Sequence, residues 1–491
     1  MPDCRHNGRV TTRRPPWALA GVIAGTAGLA TSYATAMVLT IRESPVVAVA
    51  ELIIRLTPGP VAERAISVLG HFDKPFLVGV VLVLLVACFA VAGVLERGGW
   101  WRPILVWVVL ACIGLVAVLA QRGAGPVDAL PIVVGLVTWI TLHSALADAL
   151  HRGQRRPELE SHERRVFLMV AGVVSVAAIG IAVAGRFVGA GRRHVEVSRR
   201  LLRIPGVTRR EPPPATSLGL PGITPWQTPN EDFYRIDTAI ALPTIEPKDW
   251  SLRIHGLVDR ELTLSYADLV ARRMTQSWMT LSCVSNEVGE ADCVLQTSHD
   301  GWTCATPLAA LTDDRDAMLA VAMNGRPLPI EHGFPVRSVV PGLYGYVSAT
   351  KWVVDLKVTT FAEDTGYWTD KGWSALGPVK IASRIDVPRS GAEVPAGSFS
   401  FGGVAWHQHT GIESVEVQVD GGEWIPAELG NVPSLDTWVQ WAVTLDVTEG
   451  DHEVRVRATG EDGETQTSVV RAPDPDGATG WHTVEFSATG S

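Results

Sequence analysis

Apolar residues along this chain fall into two regimes. In the first 185 positions they form unbroken runs, Trp17 to Thr40, Pro75 to Leu95, Pro103 to Ala120 and Val166 to Gly185. Each is about the 20 residues needed to cross a hydrocarbon layer of roughly 30 Å. A fifth run, Val127 to Leu146, carries Asp128 and His143 and is accepted as a span as well. About five membrane helices are therefore predicted over 17–185, after a cytoplasmic N-terminus at 1–16. Beyond Ile385 the pattern switches to a period of two: Val415, Val417 and Val419 alternate with Glu416, Gln418 and Asp420 before Asp420-Gly421-Gly422 and a second strand around Trp424. His452 to Ala458 repeats the alternation and ends at Glu461-Asp462-Gly463, so residues 385–491 read as a β-sandwich of immunoglobulin type.

Between these regimes the pattern is mixed. Residues 186–229 start with a basic, helix-like segment and continue through Glu211-Pro212-Pro213-Pro214, which reads as a linker. From 230 to 384 short β-type runs (Trp250 to His255, Trp278 to Leu281, Ala320 to Met323, Val336 to Val340, Lys351 to Val358) and one helix candidate, Tyr266 to Arg272, predict an irregular α+β domain.

Charge sharpens the division. Of 42 Lys+Arg and 51 Asp+Glu in 491 residues, positions 1–203 hold 22 and 12, leaving 20 and 39 for the distal part. Arginines concentrate at 5–14, 97–102 and 152–165, which puts the N-terminus inside by the positive-inside rule and the distal part outside after five spans. The arginines from Arg186 to Arg203 oppose that orientation. Glu163-Arg164-Arg165-Val166-Phe167-Leu168 offers a resolution, because paired arginines ahead of Phe-Leu resemble a twin-arginine export signal for folded cargo; the plainer reading is a cytoplasmic flank.

The six cysteines form no CxxC, which argues against zinc ribbons, iron–sulfur clusters and attached haem. One of them, Cys283, sits alone in a turn-prone Val-Ser-Asn-Glu-Val-Gly segment. Downstream, His332, Arg337 and Lys351 stand among clustered Gly and Pro, residue types suited to seating an anion. His71, His143 and His151 are not paired at matching depth on two spans, so they read as satisfied or interfacial histidines and not as haem ligands.

Taken in order, NEDFYRIDT (230–238), LRIHGLVDRELTLSYADL (252–269), LSCVSNE (281–287), MNGRPLPIEHGFPVR (323–337) and ATKW (349–352) resemble the sulfite oxidase family of molybdopterin-dependent oxidoreductases, over roughly residues 225 to 486. The resemblance implies a molybdenum–molybdopterin cofactor with Cys283 as the one protein thiolate on the metal and as catalytic residue. It implies cofactor contacts from Asn230, Tyr234, Arg235 and Asp237, from Asp300 and Thr303, from His332 and Arg337, and from Ser348, Thr350 and Lys351. It further implies that the terminal sandwich is a dimerisation domain, giving a homodimer.

Against the family pattern, the chain is shorter between the cysteine turn and the strand before Asp300. It has Glu287 and Val288 where sulfite oxidases carry arginines, and it offers no clear pocket tyrosine in GYWTDKGW (366–373). The reading is a multi-pass α-helical membrane domain, then an α+β molybdopterin-binding domain, then an Ig-like β-sandwich. The expected activity is two-electron oxygen-atom transfer on a small molecule, a sulfur oxyanion or S-oxide, at an extracytoplasmic site, with electrons exchanged with a separate or membrane partner and no role for nucleic acid. Alternatives are S-oxide or N-oxide reduction with the same cofactor, or a non-catalytic membrane-anchored binding module. In an oxidising compartment Cys293 and Cys304 are candidates for a disulfide; otherwise they are free thiols.

Overall fold

The computed structural model describes residues 17–39, 44–58, 61, 73–121, 125–155, 165, 169, 172, 190–235, 242–281, 292–475 and 477–490. Apart from Met169 and Gly172, the predicted span Val166 to Gly185 lies outside the described residues, as do Arg164, Asp237, Cys283 and His71. The chain divides into two compact units, 1–193 with 238–241 and 194–237 with 242–491.

The first unit is helical: α1 (Trp17–Val38), α2 (Pro45–Leu56), α3 (Asp73–Leu95), α4 (Trp101–Leu119) and α5 (Leu130–Arg155). Four helices among the described residues are long and apolar enough to cross a membrane, and α2 is a shorter apolar helix. Lipid tails give helices no hydrophobic reason to associate, so small residues and close backbone approach do the work. A Cβ at Gly21 would lie 2.0 Å from the Phe89 carbonyl oxygen, and one at Gly93 2.0 Å from that of Trp17. That contact joins α1 to α3. Phe89, Trp107 and Trp139 fill the centre, the two indoles stacked at 5.4 Å, and Trp139 Nε1 donates to the Gly25 carbonyl at 2.8 Å. His143 and His151 both meet the carboxylate of the buried Glu96, at 3.3 and 3.2 Å.

In the second unit α6 (Ala190–Leu201) begins a segment that the prolines suggest is a linker but that is built into this unit from residue 194 onward. Val195 packs with Leu328, Ile330 and Phe334, and Arg199 donates to the Pro327 carbonyl at 3.2 Å. Further on, the Leu218 amide donates to Gln440 Oε1 at 2.9 Å, and the indoles of Trp226 and Trp438 each donate to the other's carbonyl. The extended backbone of a proline-rich segment is satisfied by these partners.

A five-stranded sheet follows, in the order β2-β1-β9-β3-β4, from β1 (Ser251–Gly256), β2 (Leu262–Ser265), β3 (Asp292–Ser298), β4 (Thr303–Pro307) and β9 (Val353–Thr360). Only β1 and β9 pair in parallel; the neighbours are antiparallel. Ser265 caps α7 (Tyr266–Val270) reciprocally with Asp268, which closes the helix start. Strands β5 (Met318–Ala320) and β8 (Arg337–Val339) pair with each other, as do β6 (Ala322–Met323) and β7 (Arg326–Pro327). Two short helices, α8 (Leu308–Thr312) and α9 (Gly345–Ser348), complete this part. Trp278 to Leu281 is not a strand: the Thr280 amide goes to the Asp436 carbonyl at 2.8 Å and to no neighbouring ladder. Cys293 and Cys304 are buried and not disulfide-bonded. In the β3–β4 register Cys293 faces Pro307 while Cys304 faces Gln296, so the strands hold them out of bridging position.

The C-terminal strands form two sheets, β10-β12-β16-β15 and β11-β18-β17-β13-β14. Their members are β10 (Ala382–Val387), β11 (Ala392–Pro395), β12 (Gly397–Trp406), β13 (Ile412–Val419), β14 (Ile425–Pro426), β15 (Glu428–Leu429), β16 (Val439–Val447), β17 (Gly450–Gly460) and β18 (His482–Thr489). The alternating valines predict the buried faces: Val415, Val417, Val454 and Val456 are fully buried and meet Phe401, Trp441 and Phe486. Asp420 and Gly421 turn with φ of 51° and 69°, as the Asp-Gly-Gly motif requires. Phe401 sits at the centre, 5.1 Å from the Phe399 ring and 5.7 Å from that of Phe486. Phe401→Ala is expected to cost about 3–5 kcal/mol, read as a lowered unfolding midpoint of the sandwich transition.

Candidate cofactor site

Arg337 lies on the short strand β8, with its guanidinium almost wholly buried. Its Nη1 donates to the His332 carbonyl at 3.4 Å, and its Nε has no partner. No carboxylate among the described residues pairs with it. Burial pulls its pKa down to about 10, so at neutral pH it stays charged. A buried cation normally comes with an anion, because leaving one uncompensated costs several kcal/mol. Among the described residues, the arrangement is therefore one that suits an anion.

Backbone stitches fix the surroundings. Asn324 (φ 52°) and Gly325 (φ 73°) make the tight β6–β7 turn. The Asn324 amide donates to the Thr228 carbonyl at 2.9 Å and to Asn230 Oδ1 at 2.8 Å, which brings the first predicted segment alongside. His332 Nε2 then donates to the Asn230 carbonyl at 3.2 Å, and Phe233 meets the imidazole edge to face at 5.5 Å. His332 is buried, its Nδ1 has no partner, and its pKa is lowered by burial first and by Lys351 and Arg337 next. The ring is neutral at pH 7.

Gly333 closes the turn after His332 with φ of 104°; a Cβ there would lie 3.0 Å from both Arg337 Cβ and Lys351 Cα. The Ser338 amide donates to the Thr350 carbonyl at 2.9 Å and the Thr350 amide to Ser338 Oγ at 2.9 Å, which holds Lys351 beside Arg337. Lys351 Nζ lies over the Trp352 ring at 5.4 Å. Trp352, at φ 50°, donates to the Ile330 carbonyl at 3.0 Å, and its own carbonyl accepts the His299 amide at 2.8 Å. That last bond carries the buried Asp300 turn to the same region, with the Ser298 hydroxyl bonded to the Asp300 carboxylate.

Of the predicted site residues, the structure brings Asn230, His332, Arg337, Thr350 and Lys351 together; Asp300 is tied to the same region through the His299–Trp352 backbone bond, and Thr303 opens β4. Ser348 and Thr350 are buried with structural partners: the Ser348 hydroxyl donates to the Leu343 and Tyr344 carbonyls at 3.1 and 2.9 Å, and Thr350 Oγ1 meets Cys304 Sγ at 3.2 Å. Tyr234 and Arg235 are exposed. Asn324, Ser338 and Trp352, which fix the site without reaching for a ligand, carry no signal beyond the Asn-Gly turn. The residues present fit an anionic, phosphate-bearing cofactor: a buried guanidinium with an open Nε, a neutral imidazole with an open Nδ1, and a lysine beside them.

Comparison with known proteins agrees. Residues 239–302 and 287–368 match the oxidoreductase molybdopterin binding domain. Chicken sulfite oxidase (Gallus gallus) is 26% identical over 296 residues, covering 45% of this chain and 64% of that protein, so the chain spans less than two thirds of that relative. The uncharacterized oxidoreductase YuiH of Bacillus subtilis is 32% identical over 149 residues, 26% of this chain and 74% of that protein. Among solved structures, the sulfane dehydrogenase SoxCD from Paracoccus pantotrophus is similar with a TM-score of 0.46 and 19% identity, covering 58% of this chain and 91% of that one. The domain match defines a molybdopterin-binding oxidoreductase. The chain belongs to the sulfite oxidase family of molybdenum-dependent enzymes.

Two outcomes follow from the site. Arg337→Met should reduce pterin retention roughly 10- to 100-fold, the worth of a charged hydrogen bond or two to phosphate. The cofactor-free variant should melt no lower than cofactor-free wild type, since an uncompensated buried charge is gone; mass spectrometry and circular dichroism measure the two. For His332 the folded pKa lies below the unfolded value near 6.5. Its contribution is complete above that value and is lost as pH falls through it toward the folded pKa. Cofactor-free His332→Gln should therefore lose less stability than wild type as pH is lowered below about 6.5 in denaturant titrations.

Proposed function

We propose that this chain is a membrane-anchored, sulfite-oxidase-type enzyme that performs two-electron oxygen-atom transfer on a small sulfur oxyanion at an extracytoplasmic site. The observation that carries the reading is the buried Arg337, with no carboxylate partner among the described residues, beside His332 and Lys351. These three hold the phosphate-bearing end of the pterin, and Cys283 supplies the thiolate to molybdenum. The bound molybdenum centre supplies the two-electron redox chemistry; the chain seats it, neutralises its charge and excludes water. Electrons pass to a separate or membrane partner, and the terminal two-sheet sandwich serves as an Ig-like dimerisation domain of a homodimer.

Glu287 and Val288 favour a second reading, reduction of an S-oxide or N-oxide, because a neutral substrate does not require the cations that an oxyanion does. The purified full chain is assayed with sulfite and an artificial electron acceptor, then with a sulfoxide and a reduced dye. The proposal expects sulfite-dependent acceptor reduction that Cys283→Ser abolishes. Turnover only in the sulfoxide direction would replace it with the second reading.

The topology proposed has five spans, the N-terminus inside, and Arg164-Arg165 directing export of the folded distal unit after cofactor insertion. Arg164→Lys with Arg165→Lys should leave that unit protected from external protease in spheroplasts. Unchanged cleavage would refute the export route.

A further inference from the structure

The β-sandwich contains a cluster that cofactor chemistry does not use. His407 follows β12 and is 9% exposed, and its Nδ1 has no hydrogen-bond partner. It points at the turn after β17, where Asp462 Oδ1 lies 3.9 Å away. One ligand atom from each of His407, Asp462 and Glu464 lies within 4.8 Å of the others. The Glu464 amide donates to Asp462 Oδ1 at 3.0 Å, which orients that carboxylate in the manner of an outer-sphere partner. Gly460 leaves the gap open: a Cβ there would stand 2.5 Å from His407 Nδ1 and 2.6 Å from Asp462 Oδ1.

We infer that His407, Asp462 and Glu464 bind a divalent transition-metal ion, with water in the remaining positions. One imidazole and two carboxylates suit zinc and its neighbours, whereas calcium and magnesium take oxygen ligands alone. Two ligands about 2.1 Å from one ion at a tetrahedral angle are separated by roughly 3.4 Å, so small side-chain rotations close the site.

The position gives the ion a structural role. Gln408, the next residue, donates through Nε2 to the Asp436 carbonyl at 3.1 Å and to the Thr280 carbonyl, three residues before Cys283. Fixing His407 therefore stiffens the segment around Thr280.

The test uses the full molybdenum-loaded chain in detergent, stripped of loose metal and dialysed against zinc. Zinc per chain is measured by elemental mass spectrometry for wild type, for Asp462→Asn with Glu464→Gln, and for Gly460→Ala, which fills the gap with all three ligands kept. Wild type should hold one more zinc than either variant and bind it at least tenfold more tightly. Its melting midpoint should rise with zinc while that of the carboxylate variant, unchanged without zinc, should not. Equal zinc in wild type and carboxylate variant, or no zinc-dependent rise in wild type, would overturn the inference.

Discussion

The distal unit is organised around one electrostatic constraint: the Arg337 guanidinium has been taken out of water with no carboxylate among the described residues to meet it. Arg337 keeps its charge because even a pKa near 10 leaves it protonated at neutral pH. The His332 carbonyl offsets only part of the desolvation, and Nε is left open. Such a group destabilises the cofactor-free protein and rewards an anion that completes it. In the proposed reading, binding energy for the cofactor is in this sense stored in the fold.

Storing it demands rigidity, and the structure supplies that through main-chain bonds more than through side-chain pairs. Asn324 holds residues 228–230, Asn230 holds His332, Ser338 and Thr350 exchange bonds, and Trp352 links Ile330 to His299. Gly333 is the point where the strands of this network come within contact distance. Any side chain there must displace the Arg337 stem or the Lys351 backbone.

The sequence makes some of this plain and hides the rest for physical reasons. Period-two valines in β13 and β17 and long apolar runs in α1, α3, α4 and α5 show through because each element's burial is set by its own pattern. Residues 194–229 do not, since proline-rich backbone looks the same whether solvated or bonded to Gln440 and Trp438 across more than 200 positions. Trp278 to Leu281 has strand composition without a strand partner. At the site, His332, Arg337 and Lys351 are legible as charges among Gly and Pro, and through family resemblance as cofactor contacts. That Arg337 meets no carboxylate among the described residues is a property of three-dimensional packing. Asn324 and Ser338 are ordinary polar residues until their partners are known.

The most direct test of the account is stoichiometry: molybdenum and pterin per chain, by elemental and organic mass spectrometry, in full-length wild type beside Cys283→Ser from a host that makes the cofactor. The account predicts close to one of each in the wild type, with molybdenum lost preferentially in the variant because the cationic seat still grips the pterin. A folded wild-type chain carrying neither would contradict it.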